Sequence, residues 1–540
     1  MQQQEQENPT VKSAKLLRSS GVVSSMTMLS RVMGLLRDIV FARVIGADAM
    51  ADAFFVAFKI PNFFRRLFAE GAFSQAFVPV LAEYRETGSQ AAIKALVDRV
   101  AGALGSVLIA VTVLVVIASP VITGIFAFGF WLDHPDKFAA ASGMLRITFP
   151  YLMLISLTGL AGAILNSYDR FAVPAFTPVL LNISIIVAAV FVSPYFEEPV
   201  YALAWGVLAA GVVQLIFQLP FLARIHMLPT PVVDWQDEGV KRVLRLMAPA
   251  IFGVSVSQIN LLLDTMIASF LPTGSISWLY YSDRLSELPL GVFGVAIATV
   301  ILPSLSRQHT AASPEKFNAT MDWALRMILL IAIPAALALI ILAEPILLTL
   351  FYYGDVITSR DIAMATLSLR AYAVGLVAFM LIKVLAPGYF ARQDMKTPVR
   401  IGVIALVSNM LLNIALAVPL HIYWGIGHVG FALATSLAAI LNAWMLFRGL
   451  KKADVYIPKP GWSKFLVMLL IANITMCLVL FGLTLGFEAL HIEGLNVESW
   501  MGSVWWQRAA GMGLICAAGI AAYLLLLFVG GFRLSHLKHQ

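Results

Sequence analysis

Charged residues are scarce in this sequence. Only 12% of the 540 residues are Asp, Glu, Lys or Arg, whereas 60% are hydrophobic. Soluble domains carry about 25% charged residues. The deficit excludes an ordinary soluble enzyme and a disordered chain, because neither could keep so much apolar surface in water.

Cysteines and catalytic motifs are also scarce. The two cysteines, Cys477 and Cys516, lie in apolar runs, which excludes a disulfide framework and disfavours a metal site. The chain contains no Walker A loop, no GxSxG elbow and no HExxH motif. These motifs would indicate ATP hydrolysis or hydrolase chemistry. We therefore expect no cofactor, and a protein that is not an enzyme.

Long runs without charge are what the sequence does contain. They are Val100–Leu132, Thr148–Tyr168, Phe171–Phe196, Pro199–Ala223, Phe465–Phe487 and Ala509–Phe532. Runs of about 18 or more apolar residues predict membrane-spanning helices. The pattern predicts an all-α polytopic membrane protein with about fourteen spans. Their positions are 20–46, 49–70, 92–125, 138–166, 174–196, 199–223, 243–271, 276–306, 321–343, 362–390, 399–420, 427–448, 463–487 and 508–532.

The Lys and Arg residues predict the orientation of these spans. With both termini in the cytoplasm, most of the 37 Lys and Arg residues fall in cytoplasmic loops and tails, as the positive-inside rule requires. The predicted external loops carry acids and aromatics instead, as in "FWLDHPD" and "SPYFEEPV". This distribution explains the net charge of +7 without nucleic acid, and no nucleic-acid partner is expected.

Two parts of the chain repeat the same residue types in the same order. Asp38 and Asn182, for example, correspond to Asp264 and Asn409. An even number of spans separates the halves, which predicts two parallel six-helix bundles and favours a transporter that works by alternating access over a pore or a scaffold. The predicted domains are a cytoplasmic tail (1–19), a first bundle (20–224), a cytoplasmic linker (225–242), a second bundle (243–450), and two additional spans with a cytoplasmic tail (451–540).

Charges interrupt the first hairpin, "SRVMGLLRDIVFARVIGADAMADAFFVAFKIPNFFRRLFAEG". A charge at the bilayer centre costs about 2.5–3.5 kcal/mol, so such a group faces water or a partner and marks function. Arg31 and Asp38 are seven residues apart and share a helix face. In the eighth span, "YYSDRLSELP" places Arg284 and Glu287 where they can pair along a helix. By the repeat, both regions should line one central cavity.

Arginines outnumber the acids expected in this cavity. Guanidinium groups hold phosphate bidentately, so the cavity favours an anionic substrate such as a diphosphate over an organic cation. The alternative is that Arg31–Asp38 and Arg284–Glu287 are internal salt bridges that hold the bundles. Four further charges could simply lie at the membrane surface, namely Arg43, Lys59, Arg66 and Glu70.

Three segments resemble a known family. They are "SSMTMLSRVMGLLRDIVFARVIGADAMADAFFVAFKIPNFFRRLFAEGAFSQAFVPVLAEY", "SVSQINLLLDTMIASFLPTGSISWLYYSDRLSELPLGVFGVAIATVILPSLS" and "KVLAPGYFARQDMKTPV". The chain resembles, over nearly its whole length, the MurJ (MviN) family of lipid II flippases, part of the multidrug/oligosaccharidyl-lipid/polysaccharide exporter superfamily. The resemblance implies a flippase that moves the undecaprenyl-diphosphate-linked peptidoglycan precursor from the inner to the outer leaflet of the bacterial cytoplasmic membrane.

The resemblance also implies roles for individual residues. The headgroup-binding arginines would be Arg31, Arg37, Arg65 and Arg284, accompanied by the acids Asp38, Asp52, Asp283 and Glu287. The two additional spans would form a groove for the polyprenyl tail. Lipid II and membrane lipids are the implied partners, and proteins of cell-wall synthesis or division could be others.

Oxygen-bearing side chains in the later spans suggest a coupling ion. They are Asp264 in the seventh span, Asn409 and Asn413 in the eleventh, and Thr435 in the twelfth. Such oxygen ligands could hold Na⁺, as some members of the family do. The alternatives are that membrane potential alone drives transport, and that Asp264 is a hydrogen-bonded core acid. Lys383 could pair with an acid or extend to the interface.

Other functions stay open on the sequence alone. A flippase for another polyprenyl-diphosphate-linked oligosaccharide would need the same cationic cavity, whereas a drug or cation antiporter would need an acidic or aromatic one. A membrane glycosyltransferase would need an acid/base group at an external face. A structural partner of the division machinery would tolerate the loss of single arginines.

Overall fold

The computed structural model describes residues 9–67, 73–489 and 504–532. Within these ranges the secondary structure is helical, with short π and 3₁₀ turns and no strand. Glu70 lies outside the described residues. The chain divides into two compact units, Met1–Phe270 and Leu271–Gln540.

The first unit begins with a helix longer than the predicted span, because helical structure already starts at Pro9. Asp48 caps the second helix by accepting a hydrogen bond from the Ala51 N–H at 2.8 Å, as a short acidic N-cap does. The helices of this unit are α1 (Pro9–Val44), α2 (Ala49–Arg65), α3 (Ser74–Thr87), α4 (Gln90–Ile117), α5 (Ser119–Phe126), α6 (Phe128–Asp133), α7 (Pro135–Thr148), α8 (Tyr151–Ser167), α9 (Ala172–Val187), α10 (Pro199–Arg224) and α11 (Glu238–Ala268).

The second unit contains the remaining helices. Two of its long helices contain a π turn, at Leu290–Gly294 and at Asn413–Ala417, a feature often found at functional sites. The helices are α12 (Ser275–Pro289), α13 (Val295–Thr310), α14 (Pro314–Ile341), α15 (Ala343–Phe351), α16 (Ser359–Phe390), α17 (Lys396–Leu412), α18 (Val418–Trp424), α19 (Gly427–Lys452), α20 (Trp462–Ala489) and α21 (Trp505–Val529).

Eleven helical stretches among the described residues are long and apolar enough to cross a membrane. They fall at eleven of the predicted positions, and this confirms an all-α polytopic membrane protein. Helices α1, α2 and α11 lie at the other three positions but are not among the eleven. Helix α2, with 17 residues, is short for a bilayer that needs about 20. The predicted count of fourteen spans and the two six-helix repeats stay predictions.

Helix α11 packs inside the first unit. An apolar cluster joins α3, α4, α8 and α10 through residues such as Phe77, Val97 and Leu222, and Val240 and Val243 of α11 belong to it. The division into two six-helix bundles, which assigns the span at 243–271 to the second bundle, stays a prediction. Polar contacts tie the start of α11 to α3 and α4, outside the apolar stretches.

Glu83 on α3 and Arg242 on α11 form the most regular of these contacts. Nη1 and Nη2 of Arg242 donate to the two Glu83 carboxylate oxygens at 2.8 and 2.7 Å. The hydrogen bond from Arg242, assisted by its charge, lowers the pKa of Glu83 below the ordinary value of 4.5. The stabilisation from this pair is therefore present above about pH 4.5 and is lost as the pH falls through the lowered pKa.

We expect the melting temperature of a Glu83→Gln variant to lie slightly below that of the unaltered chain at neutral pH. The difference should be constant between about pH 6 and 8 and shrink as the pH falls from 4.5 through the lowered pKa of Glu83, because the carboxylate becomes protonated in both states. Thermal unfolding in detergent at several pH values measures it. Both side chains are about half exposed, so added salt should also shrink the difference. A difference that persists in acid would contradict this account.

In the second unit, α20 and α21 pack on α14. The apolar cluster between them includes Met327, Leu469, Met476 and Ile515. Arg508 of α21 adds a polar anchor, because its Nη1 donates to the Leu348 and Tyr352 carbonyls at 2.9 and 3.1 Å. These carbonyls are at the C-terminal end of α15, where a cation is favoured by the helix dipole. The two additional helices are therefore attached at α14 and at α15.

Candidate functional site

Arg37 and Asp38 form a buried ion pair on α1. The Asp38 Oδ1 accepts from Nε and Nη2 of Arg37 at 3.0 and 2.7 Å. Arg37 is 6% exposed and Asp38 is 2% exposed. The guanidinium also lies 5.3 Å from the centre of the Phe41 ring, within cation–π range. The sequence paired Asp38 with Arg31 by helix periodicity, whereas the pairing seen here is with the adjacent Arg37; Arg31 is half-buried on the same helix.

Asn182 of α9 holds this pair in place. Its Oδ1 accepts from Arg37 Nη1 at 3.1 Å, and its Nδ2 donates to the Ser30 carbonyl at 3.1 Å. One amide therefore orients both the Arg37 guanidinium and the backbone about two turns earlier on α1. In the sequence, Asn182 stands out only because it corresponds to Asn409 in the repeat, and that correspondence is the signal that could have marked it.

Asp52, on α2, pairs with a lysine that the sequence did not associate with it. The Lys137 Nζ lies 3.4 Å from Asp52 Oδ2, and the two residues are 3% and 1% exposed. The ammonium also lies 5.2 Å from the Phe130 ring centre. Lys137 lies in the first turn of α7, where a solvated charge would be ordinary. A ligand could reach the Asp52 carboxylate only if this pair opened.

Arg65, at the end of α2, lines a cavity inside the first unit that has both polar and apolar walls. The cavity has a volume of about 710 Å³ and lies among α3, α8, α9 and α10. Its wall includes Thr158, Thr177, Gln214 and Gln218. We call it the glutamine cavity. No motif in the sequence marked it, because its two glutamines are neutral and lie in an apolar span without charges.

Asp283, Arg284 and Glu287 lie on one half of α12 in the second unit. Arg284 Nη1 is 3.2 Å from Glu287 Oε2, which confirms the pairing expected from their spacing. Asp283 and Glu287 are exposed and Arg284 is half-buried. The other side of α12 is fixed to α16, because Ser282 Oγ donates to the Ala365 carbonyl at 2.7 Å. Helix α12 thus turns its charges away from the packing surface.

The predicted cation-binding residues separate into two groups. Asn413 Nδ2 donates to Asn409 Oδ1 at 2.8 Å, and Asn409 Nδ2 approaches Thr435 Oγ1 at 3.4 Å. Both asparagines are buried, at 4% and 0% exposure. Asp264 is half-buried on α11, in the first unit. The second unit therefore brings three of the four predicted residues into contact.

An apolar cavity of about 690 Å³ lies between α14 and α20. Its wall is aliphatic and aromatic, with residues such as Leu337, Leu470 and Phe481, and Asn473 as its polar member. The implied groove for a polyprenyl tail was assigned to the two additional spans. In the structure, α14 supplies one side of this cavity and α20 the other.

Multi-pass helices with charges inside the membrane-spanning region define the class of this protein, an α-helical membrane transporter. The sequence matches the family described as "Lipid II flippase MurJ" over residues 41–497. The chain belongs to that family, and it is a multi-pass protein of the inner membrane.

Similar proteins cover almost the whole chain. A Vibrio cholerae protein named a probable lipid II flippase MurJ is 49% identical over 534 residues, which are 97% of this chain and 98% of that protein. A Burkholderia cenocepacia protein named lipid II flippase MurJ is 44% identical over 529 residues, which are 97% of this chain and 99% of the relative. A solved lipid II flippase MurJ in an inward closed conformation superposes with a TM-score of 0.75 at 28% identity, covering 94% of this chain and 98% of that one. The fold is shared with an inward-facing multidrug resistance transporter of the MATE family. That structure superposes with a TM-score of 0.63 at 17% identity, covering 80% of this chain and 98% of that one.

Proposed function

We infer that this chain is a lipid II flippase, which moves the lipid-linked peptidoglycan precursor from the inner to the outer leaflet of the cytoplasmic membrane. The observation that carries this function is the similarity, over almost the full length, to proteins named lipid II flippases. The chain is a transporter and not an enzyme. The same similarity disfavours a drug antiporter, a flippase for another oligosaccharide, a glycosyltransferase and a purely structural partner.

The transport cycle that we propose is alternating access by two six-helix bundles with both termini in the cytoplasm. The arginines at positions 31, 37, 65 and 284 would bind the diphosphate, and the acids at 38, 52, 283 and 287 would balance their charge. Arg284 is the best placed to exchange partners. Its bond to Glu287 is a partly exposed pair three residues apart, a kind worth only about 0.2–0.5 kcal/mol, and a phosphate that accepts two guanidinium hydrogen bonds would replace it. Breaking the buried Arg37–Asp38 pair would cost more free energy than breaking this partly exposed pair.

The apolar cavity between α14 and α20 would hold part of the polyprenyl tail. Its volume of about 690 Å³ and its aliphatic wall suit a hydrocarbon chain. The headgroup and the tail would then contact different parts of the protein, so the tail could stay in lipid while the headgroup crosses.

Two sources of energy fit the proposal. Na⁺ could bind to Asn409, Asn413 and Thr435 together with Asp264. Membrane potential could act instead, since moving one charge through 100 mV is worth about 2.3 kcal/mol. Transport into vesicles with and without a sodium gradient, at a fixed potential, separates the two.

Replacing Arg284 with alanine tests the proposed role of the charged face of α12. In cells depleted of the native protein and supplied with Arg284→Ala, we expect lipid II to accumulate on the inner leaflet, with at least about a tenfold loss of flipping, because charge-assisted bonds to the substrate are worth about 1.5–3 kcal/mol. Arg284→Lys should be intermediate, since lysine keeps the charge but not the two-pronged geometry. Leaflet-specific labelling of lipid II measures the result.

Arg360→Ala is the matched control, because Arg360 is an exposed arginine in the first turn of α16. It should leave flipping unchanged. Normal flipping by Arg284→Ala would overturn the role of that arginine alone. Normal outer-leaflet lipid II under full depletion, in a strain with no second flippase, would overturn the function itself.

A further inference from the structure

The glutamine cavity contains two buried carbonyl oxygens that accept no hydrogen bond. Gln214 and Gln218 are each 1% exposed, and their Oε1 atoms have no hydrogen-bond partner among the described residues. A buried acceptor without a donor costs free energy, and such groups in native proteins are nearly always satisfied. Both side chains line the cavity, so the missing donors can come from a molecule inside it.

The orientation of both amides is determined by their neighbour Thr177. Gln214 must present its nitrogen to the Thr177 carbonyl, 3.0 Å away, because two carbonyl oxygens cannot bond each other. The Thr177 hydroxyl donates its hydrogen to the Val173 carbonyl at 3.0 Å and accepts from Gln218 Nε2 at 2.9 Å. Each amide group is thus fixed with its nitrogen toward Thr177, and neither oxygen is used in that contact.

The hydroxyls on the same wall also have acceptor capacity to spare. Thr158 and Ser167 donate to the carbonyls of Leu154 and Ala163 within their own helix. Their oxygens therefore offer lone pairs to the cavity rather than hydrogens. These oxygens and the two glutamine carbonyls are acceptors on an otherwise largely apolar wall, and they suit a ligand that carries several O–H or N–H groups. Phosphate, which has only acceptor oxygens when fully ionised, does not fit there.

Arg65 supplies the complementary charge at the same cavity. It lines the wall at the C-terminal end of α2, and its Nε donates to Asn62 Oδ1 at 3.2 Å, which orients the guanidinium group. A volume of about 710 Å³ lies within the usual range of about 300–1,000 Å³ for ligand pockets. We propose that the glutamine cavity binds the sugar part of the substrate headgroup through Gln214 and Gln218, with the adjoining phosphate toward Arg65. This assignment rests on the proposed function and names a subsite for it.

Two kinds of variant test this subsite without relying on one another. The double variant Gln214→Leu/Gln218→Leu removes both acceptors. Gly159→Leu fills the cavity instead: Gly159 lines it, and a Cβ added there meets no described atom within 4 Å. Gln308→Leu is the matched control, because Gln308 is a partly buried glutamine of the second unit.

The experiment measures binding of lipid II, and of undecaprenyl diphosphate without sugar, to the purified full chain in lipid nanodiscs. We expect both cavity variants to bind lipid II about tenfold more weakly, as the loss of two neutral hydrogen bonds predicts. Their affinity for undecaprenyl diphosphate should stay within about twofold of the unaltered chain, as should both affinities of the control.

Unchanged affinity for lipid II in both cavity variants would overturn the subsite and leave water as the occupant of the cavity. If only the double variant loses affinity, and loses it equally for lipid II and undecaprenyl diphosphate, the subsite is also overturned. A general structural defect would then be the cause. If the unaltered chain binds neither lipid, the proposed function itself fails, and the subsite with it.

Discussion

Replacing Lys137 with methionine should lower the free energy of unfolding by about 3–5 kcal/mol, because it removes the ammonium group that pairs with a buried carboxylate. The Asp52 side chain is 1% exposed, and its Oδ2 lies 3.4 Å from Lys137 Nζ. Methionine fills much of the same volume, so the loss would come from charge rather than from a cavity. Thermal and denaturant unfolding in detergent measure the change.

The second replacement Asp52→Leu should then recover most of the loss. A buried ion pair exchanged for apolar side chains of similar size is often neutral or stabilising. Lys316→Met is the control for removing a positive charge, since Lys316 is exposed near the start of α14 and should change stability by less than about 0.5 kcal/mol. An unchanged stability of Lys137→Met would contradict the account.

The same pair of variants distinguishes two roles of Asp52. Asp52 was assigned to substrate binding only through family resemblance, and its buried pairing with Lys137 is a sufficient structural reason for its presence. If Asp52 also acts on the substrate, the Asp52→Leu/Lys137→Met chain should be stable but inactive in the lipid II leaflet assay. If its role is structural, stability and transport should recover together.

Local features of the site could be predicted because they depend on helix geometry alone. Arg284 and Glu287 pair at a spacing of three, and Asn409 bonds Asn413 at a spacing of four, as neighbours on a helix surface do. The apolar runs likewise predicted the eleven spanning helices, since about 20 apolar residues suffice to define a span. These predictions needed no knowledge of which helices meet.

Contacts between distant helices could not be predicted in this way. Asn182 meets Arg37, and Lys137 meets Asp52, across 145 and 85 residues of sequence. Helix periodicity shows which residues of one helix share a face, but it does not show which other helix packs against that face. It therefore suggested Arg31 as the partner of Asp38, whereas the long side chain of Arg37 bonds the carboxylate of the adjacent Asp38. The glutamine cavity was missed for the same reason, because two neutral glutamines in an apolar run carry no charge signal.

Asp322, near the start of α14, is a further buried acid that the sequence did not mark. Its Oδ1 accepts from Tyr456 Oη at 2.8 Å, from Trp462 Nε1 at 2.7 Å and from the Lys459 N–H at 3.2 Å. Its Oδ2 accepts from Arg326 Nε at 2.8 Å. Burial, reinforced by the hydrogen bond to Asp322, raises the pKa of Tyr456, so its hydroxyl stays a donor at any physiological pH. One carboxylate thus fastens the segment that leads from α19 into α20.

Asp322→Ala should therefore destabilise the chain by about 3–5 kcal/mol, since it leaves Arg326 and three donors without their common acceptor. We expect residues 453–461 to become accessible to protease before the rest of the chain unfolds. Helix α20, which starts at Trp462, would lose the hydrogen bond that holds its first residue to Asp322 of α14. These two helices line the apolar cavity. Binding of undecaprenyl phosphate should then weaken along with stability.

Asp322→Asn provides the graded comparison. Its amide oxygen can still accept from Tyr456 and Trp462, but its nitrogen faces the Arg326 donor, so the loss should lie between those of the unaltered chain and the alanine variant. Asp355→Ala, at an exposed acid before α16, should change nothing beyond about 0.5 kcal/mol. If Asp322→Ala binds the polyprenyl lipid normally and shows no new cleavage at 453–461, the carboxylate does not hold α20 in place. The apolar cavity would then depend only on the packing of α20 against α14, through residues such as Leu469 and Met327.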